Sequence, residues 1–141
     1  MLQAQDGLSP AKSLPIGESK MAWEPTWSPD GKYLAFTMAV PAKPSKLVKK
    51  RPQPKGAKWA EAAVVIDSIR YQRDGRGIVP TASNHVCVLP ANGGTERQLT
   101  TGNFQHQGPL SWSNDSQHLL FSANRNAGWE RQTIESDVYQ I

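Results

Sequence analysis

Apolar and polar residues alternate with a period of two over residues 33–37, 85–89 and 137–141. That period marks strands with one face inward. Tyr33 to Thr37 turns Leu34 and Phe36 to the same side, and the preceding Ser28-Pro29-Asp30-Gly31 supplies a turn. Pro fixes φ there, Gly accepts a positive φ and Asp bonds its own backbone. The pattern predicts a hairpin from a Trp27-ended strand to a Leu-x-Phe strand, with one apolar side. Residues 85–89 alternate in the same way, Asn92-Gly93-Gly94 makes a tight turn, and residues 95–99 return as a partner strand.

The first hairpin is written twice. Trp27-Ser28-Pro29-Asp30-Gly31-Lys32-Tyr33-Leu34-Ala35-Phe36-Thr37 aligns with Trp112-Ser113-Asn114-Asp115-Ser116-Gln117-His118-Leu119-Leu120-Phe121-Ser122 at Trp, Ser, Asp, Leu and Phe, and both copies end on a hydroxyl. A repeated unit of this kind buries its faces against its neighbours. In the second copy Asn114-Asp115-Ser116 replaces Pro-Asp-Gly, and the turn is expected in a weaker form. The repeat spacing, 85 residues from Trp27 to Trp112, is about twice a four-stranded propeller blade. The excess is an insert between the second and third strands of the first unit.

The expected fold is therefore all-β: about two four-stranded antiparallel β-propeller blades, a fragment of a larger propeller. Residues 1–10 read as a disordered lead-in and 11–141 as the partial propeller. Blade 1 covers about 21–100 with an insertion at 39–84, and blade 2 covers about 105–141 and lacks its outer strand. Residues 11–16 resemble an outer strand, paralleling Glu96-Arg97-Gln98-Leu99-Thr100 before the second hairpin. A fragment with open blade edges is prone to associate, and strand exchange between copies is the expected route.

Charge changes the picture in one segment only. The formal net charge is +4, and Lys43, Lys46, Lys49, Lys50, Arg51, Lys55 and Lys58 stand together without an acid. Removing those seven leaves −3 on the rest. The low-complexity stretch 39–58 that holds these cations also contains Pro41, Pro44, Pro52 and Pro54, which favours a solvated loop or disordered arm. Aromatic residues are missing between Lys43 and Lys58, so nucleic-acid binding lacks a stacking platform and ranks last. No apolar run is long enough to span a bilayer, and the start lacks the features of a signal peptide, so a soluble, cytoplasmic chain is expected. Cys87 stands alone and reads as a small buried hydrophobe.

Residues 59–71 are ambiguous. Ala60-Glu61-Ala62-Ala63 favours helix while Val64, Val65, Ile66, Ile69 and Tyr71 favour strand, and extended chain is expected over 64–71. Gln72-Arg73-Asp74-Gly75-Arg76-Gly77 reads as a turn; Pro80 and the absence of a following helix rule out a dinucleotide fingerprint.

Pro-x-Trp-Ser-Pro-Asp-Gly-Lys-x-Leu-Ala-Phe at residues 25–36, followed by Gly-Gly-x-x-Arg-Gln-Leu-Thr at 93–100, resembles the blade repeat of TolB-type propellers and of prolyl oligopeptidase-family serine peptidases. Residues 64–77, with Arg73-x-Gly75-x-Gly77 around Asp74, and Phe121-Ser122-Ala123-Asn124-Arg125 look like the acylaminoacyl-peptidase branch. The resemblance implies a hydrolase parent, of acylaminoacyl-peptidase or dipeptidyl-peptidase type. In such a parent a C-terminal α/β-hydrolase domain carries a Ser-Asp-His triad, and the propeller gates peptide substrates. The implied partners are the remaining blades and that hydrolase domain.

No catalytic residue, metal ligand or cofactor is assigned within the chain, and its binding residues are unknown. A Gly-x-Ser-x-Gly nucleophile elbow is missing from the sequence. Ser28 and Ser113 fall inside the repeated turns. His85, His106 and His118 lack metal-ligand spacing, and His118 takes the place of Tyr33. Asp30 with Asp115, and Asp67 with Asp74, are carboxylates of turns or strands whose separation the sequence does not show. Trp23, Trp59 and Trp129 fall outside the repeat, and buried packing is the default expectation for them; substrate contact by Arg73 or Trp129 is the alternative. The alternative function is a TolB-like interaction module with no enzyme attached.

Overall fold

The structure, a computed structural model, describes residues 22–42, 52–60, 65–66, 68–75, 77–79, 81–132 and 134–141. The expected lead-in, the strand at 11–16, Lys43 to Arg51, Val64 and Asp67 lie outside them. Among the described residues nine strands run in chain order: β1 Ala22–Trp27, β2 Tyr33–Pro41, β3 Gln72–Arg73, β4 Gly77–Ile78, β5 Ala82–Pro90, β6 Arg97–Gln98, β7 His106–Trp112, β8 Leu119–Ala123 and β9 Asp137–Gln140. The first sheet has the order β1-β2-β5-β6, the second β7-β8-β9, and β3-β4 is a separate hairpin. All pairings are antiparallel. The chain is all-β among the described residues apart from one 3-10 turn at Trp129–Arg131. A closed propeller is not formed by these two sheets.

The two copies superpose in detail. Trp27 pairs Leu34 as Trp112 pairs Leu119, and Trp23 pairs Thr37 as Gln107 pairs Ser122. Each inner strand bulges between those pairs, at Glu24-Pro25 in β1 and at Gly108-Pro109 in β7. Glu24 and Gly108 both have positive φ, 54° and 84°. The hydroxyl that closes each repeat bonds the carbonyl at the bulge: Thr37 Oγ1 donates to Trp23 O at 3.3 Å and Ser122 Oγ to Gln107 O at 2.6 Å. The bulge of β7 holds one residue more than that of β1, and Leu110 within it is buried in the core.

The first sheet is buried on both faces, which differs from the single apolar side expected of the hairpin. Ala35, Val86 and Val88 pack with Leu110, Leu119, Phe121 and Ala123 of the second sheet. Phe36, Met38, Cys87 and Leu89 form a second cluster on the opposite face. Alternation therefore sorts residues between two buried environments here, and both are apolar. Complete burial of each large member contributes roughly 1.5–3 kcal/mol.

The excursion between β2 and β5 is shorter than 39–84, since β2 continues to Pro41 and β5 starts at Ala82. Pairing holds through Pro41 and Ala82, with the apolar and β-branched Thr37, Met38, Ala39 and Val40 on the β2 side of the ladder. Extended strand over 64–71 is not found among the described residues. The chain bends at Ser68 and Ile69, and Val65, Ile66, Ile69 and Tyr71 are exposed. Only Tyr71 among these described residues meets a ladder, its carbonyl accepting the Val79 amide at 2.8 Å beside the β3–β4 hairpin. The Asp74-Gly75 turn does form, closing β3 on β4 with Gly75 at φ 75°.

Candidate functional site

Three groups of side chains carry chemistry, and the repeated turns come first. Ser28 Oγ donates to Asp30 Oδ1 at 2.6 Å and accepts the Tyr33 amide at 3.0 Å, while Asp30 Oδ1 accepts the Lys32 amide. Ser113, Asp115, Gln117 and His118 reproduce this network bond for bond. The second turn is thus as complete as the first, and not the weaker form expected from its sequence. Ser116 stands at φ 59° where Gly31 stands at 69°. The hydroxyl bonds hold the Asp30 and Asp115 carboxyls below the usual range.

Ser113, Asp115 and His118 are the residue types of a hydrolytic triad, but the connections are those of a turn. The serine hydroxyl meets the carboxylate directly, and His118 contributes its backbone N–H and carbonyl to Ser113. Triad chemistry needs the imidazole between serine and carboxylate, so that it can take the hydroxyl proton. The Ser28 and Ser113 hydroxyls are engaged within their own turns.

The second group lies between the sheets. His106, fully buried at the start of β7, places Nδ1 2.7 Å from Asn84 O of the first sheet and Nε2 3.0 Å from Arg125 Nη2. A carbonyl only accepts and a guanidinium only donates. The ring is therefore the neutral tautomer with its proton on Nδ1. Burial pushes the His106 pKa down, with Arg125 and His85 adding repulsion against the hydrogen bond to Asn84. His85 lies 5.2 Å away ring to ring, with Nδ1 on Thr100 Oγ1, and burial lowers its pKa as well. The Arg125 guanidinium stacks 4.5 Å over Tyr139 and 5.6 Å from Phe121, and its Nε is buried without a hydrogen-bond partner. Both His106 nitrogens are occupied by protein groups beside a fixed cation, an arrangement that locks two sheets together and leaves no lone pair for a metal. No cluster of three metal-ligating side chains occurs among the described residues.

The third group gathers the two long connections. The β2–β5 excursion and the β8–β9 loop leave their sheets at equivalent places and meet: the Ile69 amide donates to Glu130 Oε2 at 3.1 Å. Arg70, Gln105, Gln107, Trp129, Gln132 and Glu135 line a cavity of about 90 Å³ between them. Trp129 is thereby placed beside Arg70, a neighbour the sequence did not single out. Asp74 is exposed in the β3–β4 turn, and Trp23 and Trp59 are exposed. A larger cavity of about 270 Å³ opens in the outer seam between the sheets, lined by Val88, Leu99, Trp112, Leu119 and Ile141.

No helix among the described residues is long and apolar enough to cross a membrane. No model of a known protein family matches the chain. Over 111 residues, 79% of its length, the chain is 28% identical to an uncharacterized peptidase, YuxL, of Bacillus subtilis (strain 168), and it spans 16% of that relative. An all-β chain with repeated sheets and a distant peptidase relative is compatible with a peptidase-related family.

Proposed function

We propose that the chain is a non-catalytic part of a peptidase-related protein, two neighbouring β-propeller blades of the prolyl oligopeptidase type. Its role is to gate peptide access to an active site carried by an α/β-hydrolase domain elsewhere. The acylaminoacyl-peptidase branch is the finer assignment. The observation that supports the reading is the bond-for-bond repeat of the Ser-Asp turns, in which the Ser28 and Ser113 hydroxyls both donate to a turn carboxylate. The peptidase relative favours this over a TolB-like interaction module built on the same repeat.

Three measurements test it. A serine-directed fluorophosphonate is expected to leave the chain unlabelled, and stoichiometric labelling would overturn the non-catalytic role. The adjoining reading frame is expected to encode Gly-x-Ser-x-Gly followed by Asp and His; a frame without them favours the interaction module. In a parent carrying that domain, excising residues 65–79 is expected to raise cleavage of long peptides relative to short ones. An unchanged ratio would remove the gating role.

A further inference from the structure

The cavity between the two long connections brings two opposite charges together without pairing them. Arg70 comes from the β2–β5 excursion and Glu135 from the β8–β9 loop, and both line it. Among the described residues no ion pair joins them, and the Arg70 guanidinium has no hydrogen-bond acceptor. Glu135 accepts the Asn126 side-chain amide at 3.3 Å on one oxygen, which leaves acceptor capacity on its carboxylate. The rest of the lining is held in place. The Gln105 carboxamide accepts the Asn84 amide at 3.0 Å and donates to the Ala82 carbonyl at 2.9 Å. Arg70 follows Ile69, whose amide is bound by Glu130, so the cation is anchored beside the loop that carries Glu135. Trp129 and Ile134 supply apolar surface, and the Gln107 and Gln132 carboxamides line the cavity without a partner among the described residues.

Two unpaired charges of opposite sign restrict the ligand. A simple anion answers Arg70 but is set against Glu135, and a simple cation does the reverse. A zwitterion answers both, its carboxylate taking parallel N–H bonds from the guanidinium and its ammonium donating to the Glu135 carboxylate. Volume restricts it further. An apolar cavity of about 150 Å³ holds benzene, so the cavity of about 90 Å³ suits a ligand the size of glycine or alanine. In a peptide the two charged ends are separated by intervening residues that this volume does not hold. We propose that the cavity binds a small free α-amino acid, with its carboxylate on Arg70, its ammonium on Glu135 and its side chain toward Trp129 and Ile134. Each connection supplies one of the two charges, so the bound ligand bridges them and adds to the Ile69–Glu130 contact. The inference rests on the geometry of the cavity and not on the peptidase reading.

The test is an NMR titration of the isotope-labelled full chain at neutral pH and constant ionic strength, followed at the Trp129 indole N–H, which is assigned by its loss in Trp129→Phe. L-Alanine is expected to shift that signal saturably. Propionate and ethylamine each keep one charge of alanine, and each is expected to bind at least about tenfold more weakly, the order that the loss of one charge-assisted contact implies. Arg70→Gln and Glu135→Gln are each expected to weaken alanine binding by a similar factor, while unmoved Trp27 and Trp112 indole signals show that the fold is kept. Arg70 is exposed, so Arg70→Gln serves alone should Glu135→Gln fail to fold. The absence of a saturable shift with alanine would overturn the proposal. So would propionate or ethylamine binding as tightly as alanine, or alanine binding that Arg70→Gln leaves unchanged.

Discussion

At the residue scale, the protonation of His106 couples the two sheets to pH. A second proton on Nε2 would set it against the Arg125 guanidinium, so acid must break the bond or separate the sheets. The folded-state pKa lies below the ordinary histidine value, and the unfolded chain takes up the proton first. Stability is therefore full above about pH 6.5 and declines as pH falls through that value toward the folded pKa, by at most about 1.4 kcal/mol per pH unit for each histidine. His85 shifts in the same direction. Urea unfolding at pH 7.5 and 5.5 is expected to show this loss, and a smaller one in His106→Asn, which keeps a donor for the Asn84 carbonyl. An equal slope in the variant would rule out His106. Asp30 and Asp115 contribute a second, more acidic decline, as their lowered pKa values make stability fall when pH passes below the carboxylate range.

Glycine positions separate backbone strain from crowding. At Gly31 an added Cβ meets nothing within 4 Å, so Gly31→Ala tests the positive φ alone and is expected to cost about 1–2 kcal/mol. At Gly108 the same atom lies 2.6 Å from Ser122 Oγ. Gly108→Ala is therefore expected to cost more than Gly31→Ala by thermal or urea unfolding, since it also disrupts the Ser122–Gln107 bond. Equal costs would mean that the bulge yields.

At the element scale, the turn and the bulge cooperate. Each hairpin is stitched at its Ser-Asp turn, and the terminal hydroxyl of its second strand fixes the inner-strand bulge. Removing Ser122 Oγ with Ser122→Ala is expected to cost about 1 kcal/mol, the net worth of one hydrogen bond, read as a shift in the urea midpoint. A null result would assign the bulge to Gly108 and Pro109 alone. Much of this was legible in the sequence: the Trp-Ser-x-Asp register and the trailing hydroxyl located both ribbons. The bulge was not, because it depends on a positive φ before proline and on a cross-strand carbonyl. Residues 64–71 show the opposite failure. Their β-branched residues satisfied propensity, but propensity does not provide a partner strand, and the described residues bend instead.

On the scale of the whole molecule, the two sheets bury one common core between them; the other face of the first sheet is buried as well, whereas Val138 on the second is exposed. Val86→Asp and Val138→Asp occupy equivalent positions with opposite surroundings. The first is expected to prevent cooperative folding, since an unpaired charge enters the core, and the second to leave the melting temperature nearly unchanged. Similar melting for both would mean that the sheets are not packed as described.

The sequence by itself determined the repeat, the two hairpins and the place of their turns, because these depend on residues close along the chain and on a period of two. The tertiary structure alone decided which apolar face is covered, that Arg125, His106 and Asn84 join across the sheets, and that the excursion meets Glu130. Those contacts join residues brought together by packing, and local alternation carries no record of what lies above a face.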